Sequence, residues 1–82
     1  MWHVYLLRCN DGSFYCGICT NLERRVKEHN TSLKGAKYTR ARRPVELVWH
    51  RDDMANRSVA SKEEYRIKHL TRLQKVALIK SK

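Results

Sequence analysis

No apolar run in the 82-residue sequence approaches the roughly 18 residues of a membrane span, and the N-terminus lacks the basic-then-apolar pattern of a secretory signal. A cytoplasmic location is expected, or a nuclear one in a eukaryotic setting, with no membrane partner. Cysteine is scarce and odd in number: Cys9, Cys16 and Cys19 are the three. Without secretory context they argue against a disulfide framework. Repeats and low-complexity linkers are also lacking, so residues 1–82 are expected to form one domain. A core this thin hides only roughly 60% of the extended surface. Acids are few: eight Asp and Glu stand against 18 Lys and Arg, giving +10 and a pI near 10.0. Such an excess points to a polyanionic partner, nucleic acid before anionic lipid. The densest basic cluster, Lys34, Lys37, Arg40, Arg42 and Arg43, spans ten residues that contain no acid.

What is present reads as alternating strands and helices. HVYLLRC at 3–9 predicts a strand, NDG at 10–12 a turn, and SFYCGIC at 13–19 the second strand of a hairpin. A two-residue Asp11-Gly12 loop would put Tyr5 and Tyr15 on opposite faces. A three-residue loop closed by a left-handed Gly12 sets Tyr5 opposite Gly17 and Tyr15 opposite Leu7, with both rings on one face. Asn-Asp before Gly favours this second register. TNLE at 20–23 predicts a capping box between Thr20 and Glu23, opening a helix over about residues 21–30. On its wheel Leu22, Arg25, Val26 and His29 share a stripe, so Arg25 faces the sheet and Arg24 faces water. There Arg25 either serves a site or lays its alkyl stem on apolar surface with its head in solvent.

Residues 31–44 predict a basic loop with a short helical turn around 34–40, in which Asn30 either braces the loop or touches a ligand. Pro44 precedes a third strand, VELVWHR, with Val45, Leu47 and Trp49 alternating with Glu46, Val48 and His50. DDMANRS predicts a connector, and a helix over about 58–70 turns Ala60, Ile67 and Leu70 inward. TRLQ at 71–74 predicts a second capping box and a last helix burying Leu73, Val76 and Ala77. The expected fold is α+β, a three-stranded antiparallel sheet flanked by helices in the order ββαβαα.

Cys16-Gly-Ile-Cys19 has the spacing of a redox or zinc pair. A redox pair needs its first thiol at a helix N-terminus, whereas Cys16 falls within a predicted strand. Zinc needs four ligands, and only Cys9, with His29, supplements the pair. Structural thiols and no zinc are expected. The rival is a zinc-dependent interaction protein built on Cys9, Cys16 and Cys19.

VYLLRCNDGSFYCG, NLERRVKEHN, GAKYTRARRPVELVW and SVASKEEYRIKHLTRLQK together resemble the GIY-YIG nuclease superfamily, above all its small stand-alone members. Val4-Tyr5-Leu6 and Tyr15-Cys16-Gly17 stand at the two signature triplets without matching them literally, and Ile18 stands where some relatives carry lysine. The resemblance implies a metal-dependent DNA endonuclease of structure-selective or low sequence specificity, RNA not being excluded. It implies catalytic roles for Tyr5, Tyr15, Arg25, His29 and Glu64. Glu64 would be the ligand of one Mg²⁺ or Mn²⁺. Helical geometry does not separate Glu63 from Glu64; the resemblance alone selects Glu64. In this picture Arg25 grips phosphate, Tyr5 is the base or positions the water, and Tyr15 orients the phosphate or water. His29 passes the proton onward or acts directly. Lys34, Lys37, Tyr38, Arg40, Arg42 and Arg43 would follow the nucleic-acid backbone without reading sequence. The alternative is a module of the same fold that binds nucleic acid and does not cut it.

Overall fold

Gly12 adopts φ +83° and closes the turn between β1 (Trp2–Arg8) and β2 (Phe14–Cys19). The computed structural model describes residues 1–81. The Gly12 amide donates to the Cys9 carbonyl at 2.9 Å, and the Cys9 amide to the Ser13 carbonyl at 2.8 Å. The three-residue loop is thereby formed, and it sets the register: Tyr5 opposes Gly17 and Leu7 opposes Tyr15. With β3 (Glu46–Met54) the strands make an antiparallel sheet in the order β2-β1-β3.

Two irregularities in the β1–β3 pairing change which side chains share a face. Leu6 pairs with Trp49 but Leu7 pairs with Leu47, so the alternation breaks at Val48. Val45 and Leu47 therefore pack with Tyr5 and Leu7, while Val48 and Trp49 both join Val4 and Leu6 on the opposite face. Trp49 is thus not on the face of Val45 and Leu47, as plain alternation predicts. A second shift, between Trp2 and Val4, extends β3 to a buried Met54. Three of the seven residues of the expected connector, 52–54, are consequently strand.

The helices are α1 (Leu22–Thr31), the single turn α2 (Lys37–Arg40), α3 (Arg57–Lys68) and α4 (Arg72–Lys80). Apart from the added turn α2, the order is ββαβαα. The Thr20–Glu23 capping box does not form. Asn21, an equally good cap one residue later, accepts the Arg24 amide at 3.0 Å. Asn56 caps α3 in the same way, through the Val59 amide at 2.9 Å. The Thr71–Gln74 box does form, with both reciprocal bonds.

α3 and α4 cover the face built on Val4, Leu6, Cys16 and Trp49, with Ala60 and Ile67 fully buried there. Only the C-terminal turns of α4 reach it: Leu78 and Ile79 pack on the core, Val76 is half-buried, Ala77 is exposed, and Leu73 is 82% exposed. A capping box fixes where a helix begins and says nothing about which side meets the sheet, which is why Leu73 and Ala77 depart from expectation. Arg72 ties the start of α4 to the hairpin through the Gly12 carbonyl at 2.7 Å. The thiols divide between the faces: Cys16 lies under α3, while Cys9 and Cys19 lie on the side of α1. Burial pushes the Cys16 thiol up to about 12.

The face carrying Tyr5, Leu7 and Tyr15 is covered by α1, through Leu22 and Val26, and by the turn α2, whose Tyr38 stacks on Tyr15. There Tyr5 lies so close over Gly17 that a methyl group on Gly17 would overlap the phenol. Gly17→Ala is expected to destabilise the fold by about 1–3 kcal/mol through overpacking, whereas Leu73→Ser stays within about 0.5 kcal/mol. Urea unfolding of both variants measures this. Equal midpoints for Gly17→Ala and wild type would contradict the packing described.

Candidate active site

The amphipathic spacing of α1 points Arg25 and His29, four residues apart, at the Tyr5 face. His29 is 0% exposed, yet both ring nitrogens have partners. Nε2 lies 2.7 Å from the Tyr5 hydroxyl, and Nδ1 lies 2.9 Å from the Thr39 hydroxyl, with the Ala36 amide also directed at it at 3.3 Å. Burial, reinforced by the charges of Arg25 and Arg43 against an opposing Glu28, pushes His29 down to about 4. It is therefore a neutral imidazole at pH 7.

Tyr15 stands edge-on to the same imidazole, with ring centroids 5.3 Å apart. Its other side stacks on Tyr38 at 5.9 Å and 25°, and the Arg42 guanidinium lies 3.9 Å above the Tyr38 ring. The two signature phenols thus share one face around His29. Tyr5 is 1% exposed, and burial raises its phenol strongly, with the Arg25 guanidinium pulling the other way. Burial also raises Tyr15, where Arg25 opposes the shift and Glu64 adds to it. Arg25 does not snorkel out. Its guanidinium donates to Glu28 at 3.0 Å and to the Lys34 carbonyl at 2.8 Å, which holds it at the phenols.

β2 is an edge strand, and α3 passes over it so that the Glu64 carbonyl faces the Cys16 thiol at 3.9 Å. The Glu64 charge adds to the rise of the Tyr15 phenol, and its only ion pair among the described residues is Lys68 at 3.8 Å. Glu63 is placed differently. Arg66 grips both its oxygens at 2.7 Å and Arg51 adds a bond at 3.2 Å, away from the phenols. These partners separate two glutamates that the helical wheel leaves equivalent. A lone hard-oxygen donor suits Mg²⁺ or Mn²⁺, which keep most of their coordination for water and phosphate. No group of three or more His, Cys, Asp or Glu among the described residues forms a metal cage, so an ion at Glu64 would rely on such outside ligands.

The basic segment divides as well. Lys34, Lys37 and Arg40 are exposed, with no side-chain acceptor among the described residues, and Lys37, Tyr38, Arg40 and Arg42 line an open groove of about 730 Å³. Arg42 is braced by Asp11 at 3.0 Å and by the Tyr38 carbonyl at 2.9 Å. Arg43, expected at a nucleic-acid surface, instead donates to the carbonyls of Glu28, His29 and Ser32. The Glu28 and Ser32 carbonyls also accept the Ser32 and Gly35 amides, so Arg43 clamps the end of α1 to the turn that follows it. Asn30 braces the loop, its amide bonded to both the N–H and C=O of Val45 at 2.7 and 3.1 Å.

Thr39 and Gly35 carry positioning roles that the sequence did not reveal. Thr39 is fully buried against His29, and Gly35 presses so closely on Glu28 and His29 that a Cβ would meet their backbone at 2.7–2.9 Å. A glycine amid basic residues is the one available sign of close approach.

Because His29 is buried neutral, the unfolded chain binds its proton first as pH falls. The stability His29 contributes is full above about pH 6.5, the ordinary histidine value, and drains as pH drops toward 4. Histidine NMR titration is expected to give His29 a midpoint near 4, with urea stability falling across the same window. A midpoint at the ordinary value would contradict its burial.

Residues 1–77 match the family model of the GIY-YIG catalytic domain. A UPF0213 protein of Desulfotalea psychrophila is 54% identical over 80 residues, spanning 98% of this chain and 72% of its own length. One from Halobacterium salinarum is 51% identical over 78 residues, spanning 95% and 99%. The solution NMR structure of a UPF0213 protein from Bacillus halodurans superposes with a TM-score of 0.58 at 45% identity, over all of this chain and 86% of that one. The chain belongs to the GIY-YIG family of nuclease domains.

Proposed function

We propose that this protein is a metal-dependent endonuclease that hydrolyses phosphodiester bonds in DNA, with structure selectivity or low sequence specificity. The observation that carries this is the cluster on one face of the sheet: the Tyr5 hydroxyl lies 2.7 Å from His29, the Tyr15 ring stands against the same imidazole, and Arg25 is held by Glu28 and the Lys34 carbonyl. Glu64 lies on the helix whose backbone meets Cys16, the neighbour of Tyr15 in β2. Beside them lies the acid-free basic segment, whose exposed Lys34, Lys37 and Arg40 would hold the phosphate backbone.

Each side chain has work suited to its chemistry. Arg25, permanently charged and forked, holds a non-bridging phosphate oxygen. Tyr5 takes the proton of the attacking water as its phenolate, and the fixed positive charge of Arg25 favours that form against the cost of burial. His29 is bonded to the Tyr5 hydroxyl through Nε2 and to Thr39 and Ala36 through Nδ1, so it acts through Tyr5. Tyr15, half-buried between His29 and Tyr38, orients the phosphate. When bound at Glu64, Mg²⁺ or Mn²⁺ supplies charge stabilisation for the departing 3′ oxygen.

Incubation with branched, nicked and plain duplex DNA in Mg²⁺ or Mn²⁺ tests this reading. Arg25→Ala is expected to slow cleavage about 10²- to 10³-fold, and Glu64→Gln to abolish it. Glu63→Gln, which loses only ion pairs to Arg51 and Arg66, is expected to keep wild-type cleavage. Cleavage unchanged in Arg25→Ala and Glu64→Gln would refute the site. Salt-sensitive binding with no cleavage would make the protein the non-cutting module instead. Removing Lys34 or Lys37 is expected to weaken binding uniformly across sequences and lower the salt slope by about one each.

A further inference from the structure

We infer that Thr39 and the Ala36 amide fix His29 in the tautomer protonated on Nε2, making it a hydrogen-bond donor to the Tyr5 oxygen and not the acceptor of the Tyr5 proton. The partners of Nδ1 carry the inference. The Ala36 N–H is a donor with no alternative role, and it is directed at Nδ1 at 3.3 Å. A proton on Nδ1 would face it head-on. The Thr39 hydroxyl, 2.9 Å from Nδ1, has two possible acceptors, Nδ1 and the Ala36 carbonyl, also at 2.9 Å. That carbonyl also accepts the Thr39 and Arg40 amides at 3.1 and 3.2 Å, so it does not depend on the hydroxyl. With the Ala36 N–H directed at it, Nδ1 carries no proton, and the hydroxyl 2.9 Å away turns its own proton to Nδ1 so that two lone pairs do not meet. Two donors converging on one ring nitrogen leave the neutral imidazole its proton on Nε2, 2.7 Å from Tyr5.

The consequence for the chemistry rests on the nuclease reading. The Tyr5 phenol loses its proton to solvent. The resulting phenolate accepts hydrogen bonds from His29 Nε2–H and from Arg25, and it then takes one proton from the attacking water to become a phenol again. His29 keeps its own proton throughout. Thr39 is in this scheme a positioning residue: it touches neither substrate nor water, and it sets the direction of the Tyr5–His29 bond. The tightness of the arrangement comes from Gly35, which lets the loop bring Ala36 and Thr39 against the last turn of α1.

Long-range ¹H–¹⁵N correlation spectra of the full chain, labelled at histidine and recorded at pH 7, test the tautomer without reference to activity. His29 is expected to show a protonated Nε2 and an unprotonated Nδ1, and the reverse pattern overturns the inference. Thr39→Val, which keeps the shape and removes the hydroxyl, is expected to shift His29 toward a mixture of tautomers, and Thr39→Ser to restore the wild-type pattern. In the cleavage assay Thr39→Val is expected to lower kcat at least about tenfold, as misdirected imidazoles do, with KM nearly unchanged and rescue by serine. A Thr39→Val protein with the wild-type tautomer and the wild-type kcat overturns the role of Thr39. Should that variant fail to fold, the wild-type spectrum still decides the tautomer. The expected tautomer in a wild-type protein that cuts no DNA would refute the nuclease reading and uphold the assignment.

Discussion

An imidazole shut away from water must find partners for both nitrogens within the protein, and much of the architecture around α1 answers that demand for His29. Tyr5 meets one nitrogen from the sheet. Thr39 and Ala36 meet the other from a loop that begins beyond the end of the same helix. For that loop to double back, Gly35 must lie against the helix backbone, Arg43 must tie together the carbonyls of residues 28, 29 and 32, and Asn30 must clamp Val45 ahead of the next strand. The basic segment is thus a folded cradle on its inner side. Only its outer side, Lys34, Lys37 and Arg40, presents free charge.

That cradle sets an electrostatic problem and supplies part of its solution. Burial works against charge on Tyr5, Tyr15 and His29 alike, raising the phenols and lowering the imidazole. The one ionised group held among them is Arg25, whose charge survives because guanidinium does not deprotonate in proteins and because Glu28 and the Lys34 carbonyl satisfy it. A fixed cation beside buried phenols favours negative charge on a phenol and on a bound phosphate, while Glu64 opposes it at Tyr15. The same field holds His29 neutral, so the imidazole can shape a hydrogen bond at neutral pH without adding a second positive charge.

How far this was legible in the sequence depended on whether the controlling partner was local. The hairpin register followed from Asn10-Asp11-Gly12, and with it the shared face of Tyr5 and Tyr15; period and spacing also turned Arg25 and His29 inward on α1. The Thr71–Gln74 box was legible for the same reason, its partners being three residues apart. Thr39, Gly35 and Arg43 were not, because they act on backbone or ring atoms 6 to 15 residues away and belong to no periodic pattern. The breaks in β3 pairing were hidden too, since an inserted residue moves Trp49 to the other face without altering local composition. Glu63 and Glu64 became distinct only through Arg51 and Arg66, one of them on a different element. The resemblance to a family had already chosen Glu64 where geometry was silent.

A sheet of three strands has two faces, and this chain treats them unequally. One is sealed by α3 and α4 around Val4, Leu6, Trp49, Ala60 and Ile67, and it carries the bulk of the hydrophobic stabilisation available to so small a domain. The other is covered by one ten-residue helix and the short turn α2, which leave Tyr15 half-buried and Tyr38 exposed. A polar cluster such as Tyr5–His29–Thr39 would be costly in the middle of the only core. Set on the second face, it is satisfied group by group while the first face holds the fold. The division also explains how Glu64 can belong both to a packing helix and to the site. α3 seals the first face and passes over the edge strand β2, with the Glu64 carbonyl against the Cys16 thiol and the Glu64 charge acting on the neighbouring Tyr15.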